Sequence, residues 1–126
     1  MEEINIHLED VANLFIEFIG GADYFVDDDY KKLALFDLNT HEGRISFIRN
    51  MLLPTHDKFS PIEKENFKNS LWYYKNNRPD KMKYFAERNL FPFEFPEGRE
   101  FLDEIWAEFY HDETLSFDAY KLNIVD

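Results

Sequence analysis

The chain contains no cysteine, which excludes disulfide scaffolds, thiolate zinc sites and cysteine nucleophiles. It has only four glycines in 126 residues. No phosphate-cradling glycine loop, Gly-x-Ser-x-Gly elbow or His-Glu-x-x-His zinc helix occurs. No apolar run approaches the ~20 residues of a membrane span. The longest, Val11 to Ile19, is interrupted by Asn13 and Glu17. The start, Met1-Glu2-Glu3, is acidic where a signal peptide is basic, and no small-residue cleavage site follows an apolar stretch. Neither export nor membrane association is expected, and the cytoplasm is the expected location. The first 30 residues also lack any lysine or arginine.

What is present is acid and aromatic surface. The chain carries 26 Asp and Glu against 14 Lys and Arg, a formal charge of −12, with 14 Phe, 7 Tyr and 2 Trp. Hydrophobic residues make up 44%, too many for an acidic disordered tail. The length fits one domain over residues 1–126. The charge is uneven. Residues 1–30 hold nine acids and no base, residues 31–90 seven acids and twelve bases, and residues 91–126 ten acids and two bases. Acidic ends around a basic middle attract one another, which favours a compact fold. No internal repeat or Gly/Ser/Pro-rich linker divides the chain.

Helical periodicity is the clearest local signal. Leu8, Val11, Phe15 and Phe18 recur on one helical face, and Gly20-Gly21 supplies a stop. Ser60-Pro61-Ile62-Glu63 combines an N-cap, a first-turn proline and a capping glutamate. The helix it opens is expected to bury Ile62, Phe67, Leu71 and Tyr74 and to end near Asn76-Asn77. Pro79 can open a further short helix with Met82, Phe85, Ala86 and Leu90 inward. Phe91 to Pro96 must be extended, given its prolines. Phe101, Leu102, Ile105, Trp106 and Phe109 predict an amphipathic helix from Glu97 to Tyr110. Residues 32–53 fit either a hairpin around Asn39–Gly43 or a helix from Arg44, with the helix favoured for the second half. Tyr120, Leu122 and Ile124 alternate as a short strand. The expected class is α+β: a predominantly helical domain with a small sheet or hairpin.

No motif names a reaction. His7, His41, His56 and His111 are scattered, and none pairs at metal-ligand spacing. His56-Asp57 and His111-Asp112-Glu113 can orient an imidazole for acid–base work, but polar surface turns look the same. Asp23, Asp27 and Asp29 alternate as calcium ligands do, yet lack the required glycine and closing glutamate. Neither metal nor cofactor is expected, and the chain is expected not to be an enzyme.

The acidic faces are the candidate binding surfaces. Glu97, Glu100, Asp103, Glu104 and Glu108 lie opposite the apolar stripe of the last helix, with Arg99 the sole base between Glu94 and Glu113. This face is either a docking surface for a basic partner or an ordinary face lying near basic residues of its own chain. The second cluster is Asp23, Asp27, Asp28 and Asp29. Tyr24, Tyr30 and Tyr110 adjoin these clusters as possible aromatic anchors. Five acids over roughly 16 Å of helix are sparser than duplex DNA, with one charge per ~1.7 Å. Lysines and arginines among Phe67, Trp72, Tyr73, Tyr74 and Tyr84 admit single-strand binding, but the net charge opposes it, and no direct nucleic-acid contact is expected.

The whole-chain layout, especially Asp23–Asp29 and Glu97–Glu113, resembles the immunity proteins that neutralise bacterial nuclease toxins in contact-dependent growth inhibition and bacteriocin systems. The resemblance implies a small non-catalytic protein that caps a basic toxin domain. The partner-binding residues would be Asp23, Tyr24, Asp27, Asp28, Asp29, Tyr30, Glu97, Glu100, Asp103, Glu104, Glu108 and Tyr110. Alternatives are a phage-encoded acidic DNA mimic that inhibits a restriction or CRISPR nuclease, and a small enzyme with a His/carboxylate site. Oligomeric state is left open, with a monomer favoured.

Overall fold

A computed structural model describes residues 2–19, 36–88 and 94–125. The chain begins with strand β1 (Glu2–His7), which runs directly into helix α1 (Leu8–Ile19). Helix α2 (His41–Phe47) continues through a π-helical turn at Ile48–Leu52 into α3 (Leu53–Asp57). Helices α4 (Pro61–Asn77), α5 (Asp80–Arg88) and α6 (Glu100–Tyr110) follow, and strand β2 (Tyr120–Val125) closes the sequence of elements. The fold is α+β, mostly helical, with one two-stranded parallel sheet.

The sheet joins the two ends of the chain. Glu2 pairs with Tyr120, Ile4 with Leu122 and Ile6 with Ile124, in parallel. Ile6 is fully buried, and the His7 amide donates to the Ser70 hydroxyl on α4 at 3.2 Å. The alternation Ile4, Asn5, Ile6, His7 is a strand signal, but a short one that only a partner strand more than 100 residues away stabilises. Residues 36–57 contain no hairpin: the segment from His41 is helical. Thr40 decides this as N-cap, its hydroxyl accepting from the Gly43 amide at 3.0 Å. Gly43 is required there, because a Cβ would lie 1.9 Å from the Asp37 carbonyl oxygen. The wide turn at Ile48–Leu52 precedes Pro54, whose ring would clash with a carbonyl four residues back in a regular helix.

Helix α4 starts as its sequence dictates, with both halves of the Ser60–Glu63 capping box formed. It ends at Asn77 and buries Phe67, Leu71 and Tyr74. Ile62, expected inside, is 67% exposed. It sits about 140° around the helix from Phe67 and about 180° from Leu71, so no single face holds all three. Met82 and Ala86 of α5 are buried and Phe85 partly so. Gly20, Gly21, Leu90 and Phe91 lie outside the described residues. One apolar cluster collects Val11, Leu14 and Phe15 of α1, Phe47 of α2, Leu71 of α4 and Phe101, Leu102 and Ile105 of α6. Phe15, Phe95 and Phe101 form its aromatic centre, with centroids 5.4–6.1 Å apart.

Candidate functional site

Helix α6 places its apolar stripe in the core and its carboxylates against α2, α4 and the π-helical turn. Glu104 is 8% exposed and Arg44 of α2 is 7% exposed. The guanidinium grips the carboxylate at two points, Nε to Oε1 at 2.5 Å and Nη2 to Oε2 at 3.2 Å. The His41 Nδ1 meets Glu104 Oε2 at 2.5 Å, and Glu100 approaches Arg44 at 3.1 Å. One turn on, Arg49 and Glu108 form a second two-point pair, both contacts at 2.9 Å. At the start of the helix, Arg99 and Lys75 share Asp103. Burial pushes the Asp103 carboxyl up, but these two cations hold it below the usual carboxylate range. Lys75 itself is buried, its ammonium 4.5 Å from the Trp72 ring centroid and 5.6 Å from that of Trp106.

The arrangement is an internal clamp. Asp103, Glu104 and Glu108, three of the five acids expected on an outward-facing surface, are paired with bases of their own chain. Of the remaining two, Glu100 is exposed and touches Arg44, while Glu97 is exposed at the loop before α6. Four acids of the α6 face contact Arg44, Arg49, Lys75 and Arg99, and three of these bases come from the basic middle. The one-dimensional charge count cannot show this, because the three bases from the middle lie 28 to 60 positions from the acids they meet.

Tyr110 is also turned inward. Its hydroxyl lies 3.0 Å from His56 Nε2, and Lys68 sits over its ring at 5.0 Å. Burial, reinforced by Glu113, pushes the phenol well above its usual range. His56 is 7% exposed and ringed by Phe59, Phe67, Phe109 and Tyr110, with centroids 4.5–6.0 Å away. Its Nδ1 is buried and has no hydrogen-bond partner, since Asp57 is 3.8 Å away. Burial first, then the Lys64 charge, lowers the imidazole pKa. His56 is a packed neutral side chain rather than half of an exposed acid–base pair. The exposed histidine oriented by a carboxylate is His41, which no sequence motif marks.

Asp23, Tyr24, Asp27, Asp28, Asp29 and Tyr30 lie outside the described residues. Among the described residues no cluster of three or more His, Asp or Glu side chains could hold a metal ion, and no helix is long and apolar enough to cross a membrane. An open cleft of about 570 Å³ lies between α5 and the loop before α6. Lys81, Lys83, Tyr84, Glu87 and Glu97 line it, and their opposite charges favour no single ligand charge. Comparison with family models, curated proteins and solved structures finds no match for this chain.

Proposed function

We propose that this chain is a non-catalytic immunity protein that binds and neutralises a basic toxin domain, of which a nuclease is the best fit, through the acidic residues of its first third. One observation carries the reading. The α6 carboxylates pair with Arg44, Arg49 and Lys75 of the basic middle, and residues 31–126 together carry only −3, so −9 of the −12 falls on residues 1–30. Residues 1–30, with nine acids and no base, are the most unbalanced stretch. Unbalanced charge speeds encounter with a basic partner and selects it over neutral ones. The interface therefore centres on Asp23, Asp27, Asp28 and Asp29 with Tyr24 and Tyr30, and Glu97 and Glu100 are its secondary acids.

The reading is tested by affinity capture from cells that make the protein, followed by titration of the captured partner. A basic domain whose activity is blocked at a one-to-one ratio is expected. Changing Asp27, Asp28 and Asp29 together to Lys should weaken binding by about 3 kcal/mol, roughly a hundredfold or more in Kd. Binding indifferent both to that triple change and to added salt would overturn the proposal. A captured restriction or CRISPR nuclease would favour the DNA-mimic alternative instead.

A further inference from the structure

Both tryptophans of the chain lie in one line of aromatic contacts that ends on a buried base. Trp72 of α4 is only partly buried and packs on Trp106 of α6, with centroids 4.9 Å apart. Trp106 is 4% exposed, and its ring lies 4.6 Å from that of Tyr110, one turn on. The Tyr110 hydroxyl then meets His56 Nε2 at 3.0 Å. A phenol O–H needs an acceptor and Nε2 supplies it, so the ring hydrogen of His56 sits on Nδ1. That hydrogen lies on the side of Asp57, 3.8 Å away. The indoles are placed differently. The Trp106 N–H donates to the Glu113 carbonyl at 2.8 Å, and a carbonyl cannot take its proton. The Lys75 ammonium lies 4.5 Å from the Trp72 centroid and 5.6 Å from that of Trp106. Asp103, which pairs with Lys75 at 3.2 Å, also answers Arg99, so the neighbourhood of the indoles stays cationic.

We infer that Tyr110 and His56 form a proton-coupled redox site, which receives an electron vacancy from a one-electron oxidant at Trp72 by way of Trp106. The oxidant is a small radical from solution, and it gains one electron from Trp72. Trp106 then refills Trp72, and Tyr110 refills Trp106, each across a direct ring contact. As Tyr110 gives up its electron, its O–H bond breaks and the proton forms an N–H bond at His56 Nε2. The products are a neutral tyrosyl radical and an imidazolium. A one-electron reductant such as a thiolate or ascorbate restores the phenol when His56 returns the proton. Charge sets the direction. A vacancy on either indole is a cation held beside Lys75. On Tyr110 it is neutral, because the proton leaves as well. Burial and Lys64 weaken His56 as a base, but an oxidised phenol is a far stronger acid than an imidazolium, so the proton still moves to His56. Lys68, over the Tyr110 ring and paired with Glu113, meets an uncharged radical. The Tyr74 hydroxyl bonds the Val125 carbonyl instead, at 3.4 Å, which accepts no proton.

Pulse radiolysis of the full chain with the azide radical, which oxidises indoles preferentially, tests the inference. The indolyl absorption is expected to decay as the tyrosyl band rises, at a rate independent of protein concentration and slower in deuterium oxide. Tyr110→Phe should abolish the linked rise and leave the indolyl radical long-lived. His56→Gln, which keeps a hydrogen bond but is no base, should slow the transfer at least about tenfold, as removal of a positioned base does. His56→Phe, which keeps the aromatic packing, should slow it alike, and circular dichroism checks the fold of each variant. A tyrosyl rise that survives Tyr110→Phe unchanged overturns the inference, since the vacancy then rests on another tyrosine. So does a transfer as fast in the folded His56 variants as in the parent, or an indolyl radical that decays in the parent with no tyrosyl rise.

Discussion

His56 shows how one buried side chain makes stability depend on pH. Its imidazole has an ordinary pKa of 6.5, lowered in the fold by burial and by Lys64. The unfolded chain therefore binds the proton more readily than the folded one. The contribution of neutral His56 is complete above pH 6.5 and is lost as pH falls through that value towards the lower folded one. Asp57 is too distant at 3.8 Å and too exposed to compensate. Thermal unfolding between pH 7.5 and 5 should show a falling midpoint, and His56→Phe should flatten the slope relative to the parent chain. An unchanged slope would place the acid sensitivity at other groups. Tyr110 offers a direct reporter, since its ring lies 4.6 Å from that of Trp106 and its hydroxyl touches His56.

At the scale of elements, the contact between α6 and α2 rests on a buried ion pair. Charge reversal of Glu100, Glu104 and Glu108 looks harmless on a helical wheel, where all three lie opposite the apolar stripe. In the folded chain Glu104 and Arg44 are both more than nine-tenths buried, so reversal would set two buried cations against each other. Even Glu104→Gln should cost about 3–5 kcal/mol in urea denaturation, because it strands the Arg44 charge without a full counter-ion. Replacing both, as Arg44→Met with Glu104→Leu, should recover most of that loss. If Glu104→Gln proves neutral, Glu100 must be able to take over Arg44 alone. The start of α4 was legible because caps act over three or four residues, as Ser60 with Glu63 demonstrates, whereas α6, expected from Glu97, starts at Glu100 after an Arg99 that makes no side-chain cap bond. The clamp was not, because it joins residues 60 positions apart. Ile62 was misplaced by counting apolar residues without following their angle around the helix.

Over the whole molecule, the first and last strands hold each other. Ile4 and Ile6 of β1 face α4 on one side, while their backbone ladder is completed by Leu122 and Ile124. Removing residues 120–126 takes away every β partner that β1 has among the described residues, together with Leu122 from the edge of the core. Such a truncated chain should lose several kcal/mol in chemical denaturation, with the helical circular dichroism signal reduced at room temperature. Retention of full stability would show that α4 alone suffices to hold β1. The same long-range closure predicts slow folding for so helical a chain, since parallel pairing of the ends requires closing the largest loop available.

The sequence by itself determined that this is a cysteine-free, aromatic-rich α+β chain. It also determined where helices α1, α4 and α5, strand β2 and all but the start of α6 lie, because caps, periodicity and prolines act within a turn or two. Tertiary structure decided which charges are available. Carboxylates on α6 that read as an open surface are closed by Arg44, Arg49, Lys75 and Arg99, and Tyr110 is closed by His56. An ion pair depends on distance in space, which the order of residues along a chain does not specify. The unbalanced acidity that remains belongs mainly to the first third.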